Sequence, residues 1–147
     1  MEFNNPSQIV KDLNFGNKAK DRIINGVDKL TNAVKSTLGA SGKCVIYEDA
    51  LGKPVITKDG VTVAESVVLL DPVENIGATL IKEAARNTVK EAGDGTTTAT
   101  VLAQSLLKTV NDPKYMDCST RDIKNGIQSG SKKVMEYLSK YSTPVSG

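Results

Sequence analysis

Apolar residues recur at steps of three and four along four separate stretches of this chain, and that spacing most limits its fold. Ala19, Ile23, Val27, Leu30, Val34 and Leu38 form the first stripe, widened by Ile24 and Ala33. Lys18, Lys20, Asp21, Asp28, Lys29 and Lys35 take the other side, so the spacing predicts an amphipathic helix over 17–38. Gly39 stands where a left-handed C-terminal cap is expected. Asp71-Pro72-Val73-Glu74 opens the second helix. Asp71 can cap, Pro72 has no N–H to lose, and Glu74 sits at capping-box distance. Apolar or small residues then hold one face at 73, 76, 77, 80, 81, 84, 85, 88, 89 and 92, until Gly93 ends it. The third helix begins within Thr96-Thr97-Thr98, runs through Val101, Leu102 and Leu106, and closes at Asn111-Asp112-Pro113. The fourth starts at Ser119, with Asp122 three residues on, and carries Ile123, Ile127, Val134 and Leu138. Gly126 and Gly130 share that stripe, which predicts close helix packing, and Thr143-Pro144 ends it.

Between the first two helices the period changes. Cys44-Val45-Ile46-Tyr47 reads as a strand and Val55-Ile56-Thr57 as its return, with turn residues at 49–54 between them. Lys58-Asp59-Gly60 makes a tight turn. The runs Val61–Ala64 and Val67–Leu70 are too short for periodicity to separate strand from helical turn. The fold class is therefore mainly α with one small β-hairpin. Aromatic residues are only 4% of the chain against 39% apolar, which predicts an aliphatic core of Ile, Leu, Val and Ala.

Length and charge narrow the function. A chain of 147 residues is one domain or a piece of a larger one. A net charge of +2, with no basic cluster interleaved with aromatics, argues against nucleic acid. The chain has no His, and Cys44 and Cys118 match no metal spacing, so a Cys/His zinc site is excluded. Both thiols are expected to be reduced and mostly buried. Met1–Ser7 lacks the basic and apolar regions of a signal peptide. No apolar run approaches the roughly 20 residues that span a bilayer. The reading is a soluble, cytoplasmic protein with no membrane partner.

The stretch richest in chemistry is Gly93-Asp94-Gly95-Thr96-Thr97-Thr98-Ala99-Thr100. Its glycines allow a sharp turn and close approach of backbone to a ligand. The threonines line the first turn of a helix, whose free N–H groups and dipole attract phosphate. Asp94 would repel a bare phosphate, so a carboxylate there makes sense with Mg²⁺ between them. On spacing alone the stretch equally fits a helix–turn–helix corner with a threonine N-cap. Neither familiar phosphate motif fits. A Rossmann fingerprint would need glycine at Thr98, and Gly39-Ala40-Ser41-Gly42-Lys43-Cys44 is too short for a Walker loop and ends in Cys. Thr37-Leu38-Gly39-Ala40-Ser41-Gly42 is a second possible cradle, and Lys58-Asp59-Gly60 also fits ordinary turn chemistry.

Ala92–Gln104 closely resembles the nucleotide loop and following helix of the group I chaperonins (GroEL type). Ile56–Ala64 is similar to that family's second motif, Val34–Gly39 to its third, and Phe15-Gly16-Asn17 to its opening. Asp122–Ile127 resembles a fourth stretch. All stand in family order and spacing from about Leu13 to Pro144. The resemblance implies ATP and Mg²⁺ as cofactors. It assigns Thr37, Leu38, Gly39 and Ala40 to a nucleotide-contacting turn and Lys58 to a phosphate. Asp59 becomes an acidic residue implicated in hydrolysis, with its pKa lowered by Lys58 beside it. Asp94 becomes the Mg²⁺ ligand, and Gly95, Thr96, Thr97 and Thr98 the phosphate cradle.

The resemblance further implies residues 1–147 as the N-terminal half of an equatorial, ATP-binding domain, ending near the hinge to an intermediate domain. Its partners would be ring subunits of the same kind. Unfolded clients and a co-chaperonin would bind through domains not in this chain. Ala40-Ser41 stand where the family has Pro and a basic residue, which should loosen that turn. The segment 111–120 also departs from the family's usual approach to the last helix. The alternatives are a remnant without turnover, acting only by joining rings, and an unrelated helical binding domain.

Overall fold

A computed structural model describes residues 13–145. The readings made at Met1–Ser7 and at Ser146-Gly147 lie outside those residues. The chain divides into two compact units, with the boundary after Leu107.

In the first unit, α1 spans Gly16–Lys35. It stops short of the expected Leu38, and side-chain hydroxyls accompany the early end. Ser36 Oγ donates to the Ala33 carbonyl at 2.7 Å and Thr37 Oγ1 to that of Val34 at 2.8 Å. Such local bonds compete with helix continuation. Gly39 takes a left-handed φ of 77° in the turn that follows, and Leu38 is exposed instead of completing the buried stripe.

The hairpin pairs β1 (Val45–Glu48) with β2 (Pro54–Thr57), antiparallel, with Ile46 opposite Ile56 and Tyr47 opposite Val55. Asp49 organises the connection by accepting from the Leu51 and Lys53 amides at 2.8 and 2.9 Å. The two ambiguous runs separate: α2 (Gly60–Ser66) is a short helix, and 67–70 is irregular. The capping carboxylate of Asp59 decides the first run.

Asp71 caps α3 (Pro72–Ala92) by accepting from the Val73 and Glu74 amides, and Gly93 closes it at φ 74°. Glu74 does not complete a capping box. Its carboxylate binds Lys29 at 2.5 Å, while Arg22 binds Asp71 at 2.7 Å, so both acidic groups of that first turn hold α1. Helices α1 and α3 meet at reciprocal glycines. A methyl group on Gly26 would collide with the Glu74 carbonyl, and one on Gly77 with the Ile23 carbonyl. Around this crossing Val27, Leu30, Val34, Val63, Ala64, Ala78 and Ile81 form the core, which is aliphatic as composition predicts. Ile76 and Leu80, expected on the buried face of α3, remain about half exposed, and Ala92 is exposed too.

Helix α4 (Thr96–Val110) begins where the threonine run predicts and crosses the unit boundary. Its first-unit part buries Thr96, Thr100 and Gln104, and Gln104 donates to Asp28 of α1 at 2.5 Å. In the second unit, a 3-10 turn at Pro113–Tyr115 precedes α5 (Thr120–Tyr141). Ser119 caps α5 by accepting from the Asp122 amide at 3.1 Å. No residue of α5 is buried, and among the described residues nothing stands within 4 Å of a methyl group built on Gly126 or Gly130, so these two glycines make no close approach there.

Both cysteines are free, but they are exposed and not buried: Cys44 lies just before β1, and Cys118 follows the 3-10 turn. No helix of the described residues is long and apolar enough to cross a membrane.

Candidate functional site

Three turns far apart in sequence line one cleft of about 370 Å³ in the first unit. The turn after α1 contributes Thr37, Leu38 and Gly39. The start of α2 contributes Lys58, Asp59, Gly60 and Val61. The α3–α4 corner contributes Val89 and the run from Gly93 to Thr98. Of the residues that the resemblance assigns to the site, all but Ala40 line the cleft.

Each wall is shaped by local chemistry. The Lys43 amide donates to the Ser36 carbonyl at 2.8 Å and that of Gly42 to Gly39 at 3.0 Å. A side chain at Gly42 would meet the Thr37 carbonyl, so this turn is closed without a proline at position 40. At the corner, Gly93 and Gly95 both adopt left-handed φ, 74° and 90°, which side chains resist. Gly60 brings α2 against α4, because a methyl group there would collide with the Thr97 hydroxyl.

The cleft presents groups of both signs. Lys58 is exposed and has no hydrogen-bond or ion-pair partner among the described residues. The first helical bond of α4 runs from the Ala99 amide to the Gly95 carbonyl, at 2.8 Å. The amides of Thr96, Thr97 and Thr98 therefore have no partner within the helix. Asp94 accepts from the Gly95 amide through one oxygen at 2.6 Å. Its other oxygen has no partner among the described residues.

Asp59 is differently engaged. One of its oxygens accepts from both the amide and the hydroxyl of Thr62, at 2.8 and 2.5 Å. Those bonds hold its carboxyl below the ordinary carboxylate value, the hydroxyl contributing most. The direction is the one expected from sequence, but the cause is Thr62 and not Lys58. An N–H donor set with a free lysine suits phosphate oxygens, and a half-free carboxylate suits a hard cation that keeps other oxygen ligands.

Sequence reasoning about the site did not single out Val61 or Val89. Val61 has a signal, since it follows Gly60 in the same motif. Val89 has none, because its place on the helical stripe reads as core.

No helix, strand or turn of this cleft stands outside the segment that a known family accounts for. The sequence model of the TCP-1/cpn60 chaperonin family matches residues 30–146, and the chain belongs to that family.

Proposed function

We propose that this cleft binds Mg-ATP, and that the chain is the phosphate-holding half of the equatorial domain of a group I chaperonin. Within a ring of such subunits, nucleotide binding would drive the movements that assist folding of client proteins, with a co-chaperonin. The observation that supports this best is the convergence of Lys58, Asp94 and the open first turn of α4 on one cleft.

The roles follow from the groups. Lys58 offers a point charge to phosphate oxygens. The amides of Thr96, Thr97 and Thr98 supply donors at the positive end of α4. Asp94 would hold Mg²⁺, since a small cation takes one carboxylate and fills its remaining positions with phosphate and water oxygens. Bound there, Mg²⁺ would neutralise phosphate charge. Asp59 is the weakest part of a hydrolytic site here, because its bonds to Thr62 favour the ionised form and lower its basicity. That favours a second reading, in which this segment binds nucleotide but does not turn it over.

Leu38, Val61 and Val89 are the apolar walls, which leaves little surface to anchor a base. The expected affinity is about −5 kcal/mol, in the range of hundreds of micromolar. Calorimetric titration with Mg-ATP and with metal-free ADP tests the reading. Asp94→Ala should weaken the first at least about tenfold and the second little. Equal losses for both ligands would remove Asp94 as the metal ligand. No binding by the unaltered chain would remove the site.

A further inference from the structure

We propose that Glu65 and Arg86 are positioning residues for this cleft: their ion pair straps α2 to α3 and fixes two of its walls. The proposal rests on the nucleotide reading given above.

Helix α2 has only seven residues, too few to hold a shape or direction by itself. Val63 and Ala64 sink it into the core, but apolar contact is non-directional and leaves its tilt open. The directed contacts lie at the next residue. Arg86 donates through Nε to one oxygen of Glu65 at 2.6 Å and through Nη2 to the other at 2.5 Å. Two parallel bonds of this kind fix orientation as well as distance. Lys82 adds a bond to the Glu65 carbonyl at 3.1 Å, one turn earlier on α3.

The strap joins the two helices that carry these walls. Glu65 is about 7.5 Å along the helix from Gly60, and Arg86 is about 4.5 Å from Val89. Gly60 and Val89 both line the cleft. A tilt of α2 at the strap would therefore displace Lys58 relative to the α3–α4 corner. Displacements near 1 Å are enough to spoil such a fit. Both side chains are partly exposed, 52% for Arg86 and 38% for Glu65, so the pair adds little to global stability. Its effect is on geometry.

The test uses the full chain, its amide NMR spectrum, and titration with Mg-ATP. Glu65→Gln and Arg86→Gln should each shift the amides of Lys58 to Val61 and weaken binding about three- to tenfold. The exchanged pair, Glu65→Arg with Arg86→Glu, should restore both readouts, which a loss of bulk stability would not do. Lys58→Ala is the control for the site itself. If it weakens binding while the single strap variants leave affinity and amides unchanged, the strap is overturned and the site stands. If Lys58→Ala changes nothing, the nucleotide reading fails and the proposed role of the strap fails with it. Failure of the exchanged pair to recover either readout also overturns the strap.

Discussion

Thr62 donates both its amide and its hydroxyl to the same oxygen of Asp59, closing the first turn of α2 with the carboxylate that also borders the cleft. One side chain thus serves as helix cap and as cleft wall. The capping bonds stabilise the ionised form, so any use of Asp59 as a base works against them.

Thr62→Val keeps the shape of the residue and removes the hydroxyl bond. It should cost about 1 kcal/mol at neutral pH, the usual scale for a capping interaction. The Asp59 carboxyl should rise toward its ordinary 3.8, read by carboxyl carbon NMR. Because the folded-state pKa is lowered, this stabilisation is present in full above 3.8 and is lost as pH falls through the folded value. The deficit of the variant should therefore shrink in acid. A deficit that stays constant down to complete protonation would mean that the bond does not favour the carboxylate.

The glycine contact between α1 and α3 makes a stronger demand. Gly77→Ala places a methyl group into the Ile23 carbonyl, which is backbone and cannot rotate away. We expect a loss of about 2–3 kcal/mol, of the size that overpacking costs, measured by denaturant unfolding. Alanine at Gly126, where no described residue lies within 4 Å, should instead stabilise α5 slightly through helix propensity. Equal effects at the two positions would show that the helices do not meet at Gly77.

These glycines show which part of the fold the sequence carries openly. The start of α3 is legible because cap, proline and acidic residue act within four consecutive positions, Asp71 to Glu74. The start of α4 is legible because two glycines and a run of threonines adjoin there, with no proline or acidic residue in its first turn. Gly77 is different. It lies on a predicted apolar face, but nothing local says that a neighbouring backbone will approach it. Gly126 and Gly130 have the same pattern and no such neighbour among the described residues. Glu74 likewise fits a capping box by spacing, yet Lys29, 45 positions away, takes its carboxylate. Convergence of the three turns on one cleft is tertiary as well. Periodicity does not encode it, and only the resemblance of ordered motifs points to it.

The cysteines give a direct chemical check. Burial is the natural expectation for two unpaired thiols, since free Cys packs as a small apolar residue. Cys44 and Cys118 are instead both exposed. A thiol reagent should modify both in the native protein, without denaturant and at rates near that of a small free thiol. Protection of either until unfolding would show that its surface is covered in solution.

Helix α5 is the last test, because its sequence pattern and its exposure disagree. It is amphipathic over 22 residues, yet none of them is buried. Val134, Leu138 and Tyr141 are between 55% and 61% exposed. The Tyr137 and Tyr141 rings lie 4.4 Å apart between centroids, a local contact one turn apart. Such pairs add only tenths of a kcal/mol to a helix, and without buried side chains a helix of this length is marginal in water. The amides of α5 should therefore exchange with solvent orders of magnitude faster than those at the α1–α3 crossing. An apolar dye should report the uncovered face, unless the chain self-associates and hides it. Exchange by mass spectrometry on dilute protein, with the mass of the particle measured in parallel, separates the cases. Slow exchange in a monomer would show that α5 is covered within a single chain.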